Sequence, residues 1–197
     1  MNRINHKSRR SKHEKNSCFS VGNAGWLFDA DTMGQWFNPY HSDERSEYIR
    51  ASVSGSGALL VGRTTYEMLA AYWPHQKNDD NGPASSINSM PKYVVSSTLR
   101  EAHWNNSTII KENIIEEIKR LKQQPGVDIL IPGSASLVHA LMKTDLIDEY
   151  QFLVQPIIVG SGKRFFKDGM VTPRLKLVKT ETFRLGVILL CYQPAQK

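Results

Sequence analysis

Cysteine is scarce: Cys18 and Cys191 are the only two among 197 residues. Two cysteines cannot build the disulfide framework that staples small secreted domains, so a reducing cytoplasm is the expected setting. Long apolar runs are missing too. The run Val187–Cys191 and its neighbours is the longest, far short of the roughly 20 residues that cross a bilayer. Residues 1–17 are too polar for the core of a secretory leader, and no leader or membrane segment is expected. Metal-ligand spacing is absent: His6, His13, His41, His75, His103 and His139 are scattered, so no metal site is expected. His139, inside a helical pattern, reads as a surface residue. There is no G-x-S-x-G nucleophile elbow. The segment 133-GSASLVHA-140 lacks G-x-G-x-x-G spacing. The loop 160-GSGKRF-165 resembles the tail of a phosphate-loop motif, but it lacks the upstream glycine and has Arg after the lysine. Hydrolase and metal chemistry therefore find no support.

What is present is ordinary soluble-protein composition, 40% hydrophobic and 22% charged. The chain is long enough for one well-cored domain. Its net charge of +6 is unevenly placed. Arg3, Lys7, Arg9, Arg10, Lys12 and Lys15 against Glu14 alone give residues 1–17 a balance of +5, leaving +1 for the remaining 180. Residues 1–17 are thus expected to be a disordered basic arm, and residues 18–197 a single domain. A basic arm can touch phosphates nonspecifically, but the folded part is not basic, so nucleic-acid binding is not expected.

From residue 43 the pattern alternates. Residues 43–53 suit a helix capped by Ser42. Residues 57–62 read as a buried strand, and 64–73 as a helix stopped by Pro74. Residues 75–86 are loop by composition. Residues 92–97 and 107–110 read as strands. The spacing of Ile114, Ile115, Ile118 and Leu121 predicts a helix over 113–126, with Asn113 and Glu116 as a capping box. A strand at 128–133 and a helix at 134–144 follow, the helix with Leu137, Val138, Leu141 and Met142 on one side. A long strand over 147–160 is interrupted by Pro156, and 175–183 with 187–193 forms a closing hairpin. Strands alternating with helices imply an α/β fold with a mainly parallel sheet and antiparallel strands at one side.

In such a sheet, ligands collect beyond the carboxyl ends of the strands. Three corners there carry small or hydroxyl residues: Gly62-Arg63-Thr64-Thr65, Ser96-Ser97-Thr98, and Gly133-Ser134-Ala135-Ser136, with Leu137 next in line. Helix N-termini attract anions through unpaired N–H groups, glycine lets the backbone approach, and the arginine fork matches phosphate. Singly, each corner has a plainer explanation, since a cap accounts for Ser134 or Thr64 as well as a phosphate does. Together they suit a dinucleotide, which needs several anion sites along one edge. Trp26, Trp36 and Phe37 are candidates to stack on a flat heterocycle, with a core role equally open. Asp29, Asp31 and Glu67 are candidate proton donors, although solvation and turn roles explain them more simply; no catalytic residue is assigned.

The stretches 58-ALLVGRTTYEMLAAYWP-74, 91-PKYVVSSTL-99, 104-WNNSTII-110, 130-LIPGSASLVHALMKTDLIDEY-150 and 153-LVQPIIVGSGKRFF-166 resemble the dihydrofolate reductase-like superfamily. In particular they resemble stand-alone relatives of the C-terminal reductase domain of the bifunctional riboflavin biosynthesis protein. They occur in family order over roughly residues 55–193. The resemblance implies a central mixed, mainly parallel sheet flanked by helices with a C-terminal antiparallel hairpin, NADPH as cofactor, and a homodimer. It implies reduction of a small heterocycle, pterin-like or like 5-amino-6-(5-phosphoribosylamino)uracil. It places the NADPH phosphates at Gly62, Arg63 and Thr65, the 2′-phosphate near Ser96, Ser97 and Thr98, and the pyrophosphate at Gly133, Ser134, Ala135 and Ser136. It puts Gly160 and Gly162 beside the mouth of the substrate pocket. The front end departs from the family pattern. The family's first strand leads into a Ser-Leu-Asp-Gly loop, whereas 19-FSVGNAG-25 has Ala24 at the aspartate's place, and residues 6–17 are too polar to supply a buried strand. A non-catalytic dinucleotide-binding module with a remodelled pocket is the alternative.

Overall fold

The computed structural model describes residues 16–23, 33–76, 83–124, 128–166 and 174–195. Its elements are β1 (Asn16–Asn23), α1 (Met33–Phe37), α2 (Asp43–Ser54), β2 (Ser56–Gly62), α3 (Arg63–Tyr72), α4 (Pro83–Ser89), β3 (Lys92–Val95), β4 (Ser107–Ile110), α5 (Ile114–Lys122), β5 (Asp128–Gly133), α6 (Ala135–Met142), β6 (Glu149–Gln155), β7 (Leu175–Thr182) and β8 (Ile188–Pro194). Short 3-10 turns occupy Asn38–Tyr40, Trp73–His75 and Arg184–Gly186.

All eight strands join one sheet in the order β4-β3-β2-β5-β1-β6-β8-β7. The first six are parallel, and β8 and β7 add antiparallel. The expected mainly parallel sheet with a C-terminal antiparallel hairpin is what forms. Helices cover both faces. On one, Leu60, Ile129, Ile131, Tyr150 and Phe152 pack under Ile118 and Leu121 of α5 and Leu137, Val138 and Leu141 of α6. On the other, Leu59, Val61 and Val94 pack with Tyr66 of α3 and Ile87 of α4. Further along that face, Leu153, Val187 and Leu189 meet Tyr48 and Ile49 of α2. This is why β2 reads as an unbroken apolar run: a central parallel strand buries both of its faces.

Four local expectations change. Residues 16–23 form a strand, taking in Asn16 and Ser17 of the supposed arm and pairing in parallel with both β5 and β6. β6 pairs with it from Ser17 to Asn23 and β5 from Asn16 to Cys18, a tertiary contribution that its own polarity concealed. Residues 83–86, the end of the stretch read as loop, begin the helix α4 (Pro83–Ser89), which buries Ala84 and Ile87 against the sheet. Asn113 makes no capping box: it sits in the left-handed region at φ 50° without a side-chain cap bond, and Glu116 pairs with Lys119 at 2.8 Å. β6 stops at Gln155 instead of running on to residue 160, because Pro156 has no N–H to donate to a ladder. The Ser42 cap does form, its hydroxyl accepting the Arg45 N–H at 3.3 Å.

Candidate functional site

Parallel strands place the carboxyl ends of β3, β2 and β5 side by side. Two of the three corners found in the sequence touch there. A Cβ added to Gly62 would lie 2.4 Å from Ser134 Oγ, and one added to Gly133 3.1 Å from Thr65 Oγ1. Glycine at each place is therefore what lets the β2–α3 and β5–α6 corners meet. Gly133 also has φ +148°, open to glycine and strained for other residues, and its peptide bond to Ser134 is cis.

The plain capping explanation for these corners fails. Ser134 holds the N-cap position of α6, yet its side chain makes no cap bond; its Oγ instead contacts Ser136 Oγ at 2.8 Å. Gly62 at the head of α3 has no side chain to cap with. Both helices consequently present first-turn N–H groups that no cap side chain occupies, the arrangement that receives an anion.

Arg63 links the third corner to the first. Its Nη1 donates to Thr98 Oγ1 at 3.0 Å, and its Nε lies 3.5 Å from Glu67 Oε1, with the side chain about half exposed at 48%. Ser97 and Thr98 are exposed beyond β3. Ser96 is buried, and its Oγ accepts the N–H groups of Thr98 and Leu99 at 3.2 and 2.9 Å, so it shapes the turn. Thr65 is half-buried beneath Gly133.

Between these corners opens a cleft of about 420 Å³. Arg63, Thr64, Ser134 and Ser136 form its polar rim. Val95, Ile114, Ile115, Leu137, Ala140 and Leu141 form its apolar wall. The start of α5 was not foreseen as part of the site; the stripe of Ile114 and Ile115 was visible, but only topology carries it to the cleft. A flat apolar ring beside phosphates fits such a pocket, and the residues present suit a dinucleotide.

Trp26, Asp29 and Asp31 fall outside the described residues. Trp36 is buried, and Phe37 lies beneath the Arg45 guanidinium, 4.0 Å from ring centroid to Cζ. Gly160 is open to solvent and Gly162 has φ +150°; both lie in the segment after β6. That segment is fastened by His139, which is half-buried rather than a surface residue: its Nε2 donates to the Phe165 carbonyl at 2.6 Å, and its ring packs edge-on to Phe165. Glu67, exposed on α3, faces Arg63. Among the described residues no group of His, Cys, Asp and Glu could hold a metal.

The profile of the RibD C-terminal domain family matches residues 25–189. The chain belongs to that family. It is 35% identical to the uncharacterized protein YyaP of Bacillus subtilis over 136 residues, covering 68% of this chain and 72% of that protein. It is 31% identical to the uncharacterized protein YwjB of the same organism over 134 residues, covering 66% and 70%. Among solved structures it is similar to a putative riboflavin biosynthesis protein from Shewanella sp. PV-4, with a TM-score of 0.71 and 19% identity, covering 92% of this chain and 99% of that one. It is also similar to the dihydrofolate reductase of Enterococcus faecalis complexed with NADP(H), with a TM-score of 0.61 and 13% identity, covering 92% and 97%. The fold is thus that of the riboflavin-biosynthesis and dihydrofolate reductases.

Proposed function

We propose that this RibD-family chain is an NADPH-dependent reductase of a small heterocycle, pterin-like or ribosylaminopyrimidine-like, acting in the cytoplasm. The observation that carries this reading is the cleft between two touching, uncapped helix N-termini, polar on its rim and apolar on its wall. The corner backbone and the Ser134 and Ser136 hydroxyls would hold the pyrophosphate. Arg63, with Thr98, would take the 2′-phosphate, and Val95, Ile114, Ile115 and Leu137 would enclose the adenine. Bound there, the cofactor supplies a hydride to a C=N or C=O carbon, and the accompanying proton comes from a side chain or water. The chain's own task is to fix the ring against the substrate at the neighbouring β1 and β6 ends. The exposed edge strand β7, with Leu177 and Val178 facing solvent, is where we place a homodimer contact.

Calorimetric titration with NADPH and NADH tests the cofactor assignment. NADPH should bind more tightly, and Arg63→Ala should erase most of the difference, because the 2′-phosphate alone distinguishes the two. Tight NADPH binding without turnover of pterins or aminopyrimidines would instead indicate a non-catalytic dinucleotide-binding module. Equal, weak binding of both cofactors would refute the site.

A further inference from the structure

We propose that the side-chain amide of Gln155 reads the substrate, pairing with a lactam edge, a ring carbonyl next to a ring N–H, of a flat heterocycle. The proposal rests on the reductase reading above and adds to it the residue that recognises the substrate.

Gln155 ends β6 and is 0% exposed, yet neither its Oε1 nor its Nε2 has a hydrogen-bond partner. Buried amides are almost always bonded, since an orphaned donor or acceptor loses its bonds to water without replacement. A buried side chain with both ends free of protein partners suits a place where a ligand supplies the bonds.

Its position says what that something is. Along β6, residues 151, 153 and 155 point to one face. On that face Gln151 accepts from Tyr48 at 2.8 Å, and Leu153 packs with Tyr48 and Ile49, so Gln155 lies under the layer of α2. The next residue, Pro156, accepts from Tyr40 at 3.3 Å. In the sheet, β6 stands two strands beyond β5, which puts Gln155 about 10 Å along the carboxyl edge from the dinucleotide corners. It lies on the α2 face of the sheet, across from the α5–α6 wall of the cleft, where the reductase reading puts the substrate.

Arg45 is a second, independent sign. It lies in the first turn of α2, at the level of the carboxyl edge, because α2 leads straight back into β2. It is 1% exposed, its Nη1 donates to the Phe37 carbonyl at 2.9 Å, and its Nε is buried without a partner. The same layer thus holds an unsatisfied amide and an incompletely satisfied cation. A primary amide offers an acceptor and donors in one plane, the complement of a lactam, and the guanidinium suits an electron-rich oxygen. Because the amide is sealed as it stands, side chains above it must shift to admit a ligand.

The test uses the full-length protein, free and NADPH-saturated, with calorimetric binding of pterin and of 2,4-diaminopteridine, in which an amino group replaces the ring carbonyl. Gln155→Met should weaken pterin binding by at least ~10-fold while leaving NADPH affinity unchanged, since two directed hydrogen bonds are lost. Gln155→Glu should weaken both probes, because each edge pairs one donor with one acceptor and a carboxylate has no donor for the ring carbonyl of pterin or for the bare ring nitrogen of the diamino compound. A merely structural glutamine would not cost heterocycle binding while sparing NADPH binding, and if the Glu variant does not fold, the Met variant carries the test. Wild-type pterin affinity in Gln155→Met, with or without a gain in melting temperature, overturns the proposal, as does failure of wild type to bind either probe. If wild type ignores NADPH but loses pterin binding in Gln155→Met, the reductase reading falls and the role of Gln155 stands.

Discussion

Gly62→Ala is the sharpest probe of the two-corner architecture. Gly62 has φ −80° and ψ 162°, a conformation that alanine adopts without strain, so any effect must be steric. The new methyl would meet Ser134 Oγ at 2.4 Å, Ser134 Cβ at 3.3 Å and Ser134 N at 3.4 Å. The hydroxyl can rotate away, but only by giving up its 2.8 Å contact with Ser136, which is worth about 0.5–1.5 kcal/mol. The two remaining contacts are tight and require the corners to separate slightly. Together the cost should be about 1–3 kcal/mol, in the range of small-to-large changes in packed interiors. In a Ser134→Ala background the worst clash and the sacrificed hydrogen bond are both gone, so the cost of Gly62→Ala should fall by about 1 kcal/mol. Urea denaturation of the four proteins measures this coupling as a double-mutant cycle. Additive effects, or a Gly62→Ala protein as stable as wild type, would show that the corners do not meet as described.

Other outcomes follow from the same geometry. Arg63→Ala should lower NADPH affinity by about 10-fold or more, from one charge-assisted contact, and barely move the melting temperature, since its bond to Thr98 is solvent-exposed; parallel NADH titration checks the selectivity. Leu141→Ala removes a side chain that is 0% exposed beneath α6 and should cost about 2–5 kcal/mol in urea denaturation. Lys92, also 0% exposed, donates to the carbonyls of Asn88, Met90 and Asn105, so Lys92→Met should destabilise by about 1–3 kcal/mol or more at neutral pH. Burial lowers the Lys92 ammonium to about 8 from 10.5. Between those values the unfolded chain binds more protons than the folded one, so wild type should gain stability over Lys92→Met as pH rises through that window. Urea midpoints of the two proteins across it check the sign, and a gap that narrows would contradict it.

Most of the fold was legible because its signals are local. The continuous apolar run of β2 announces a strand buried on both faces, Pro74 closes α3, and the Ser42 cap fixes the start of α2. The elements that escaped depend on distant partners. β1 gains its place from β5 and β6 on either side, more than a hundred residues away in sequence. α4 is short, and what settles it is the burial of Ala84 and Ile87 against the sheet. His139 looked like a surface residue because its partner, the Phe165 carbonyl, is 26 residues away.

The candidate site divides along the same line. Gly62, Arg63, Thr64, Gly133, Ser134 and Ser136 stand out in the sequence because such strand-to-helix corners recur at one edge, although each alone reads as an ordinary cap. Sequence by itself determined that these corners exist and at which edge they fall, because chain direction in a parallel sheet sends every strand end to one side. It could not tell a cap from an anion cradle, nor that the apolar wall would come from Ile114 and Ile115, nor that Gln155 and Arg45 would be buried with atoms unbonded. A single polar residue in 152-FLVQPIIVG-160 was visible, but whether its amide finds a partner is a fact about neighbours in space. Only tertiary packing decides that, because burial and hydrogen-bond satisfaction belong to pairs of residues, whereas propensity and pattern belong to one stretch of chain.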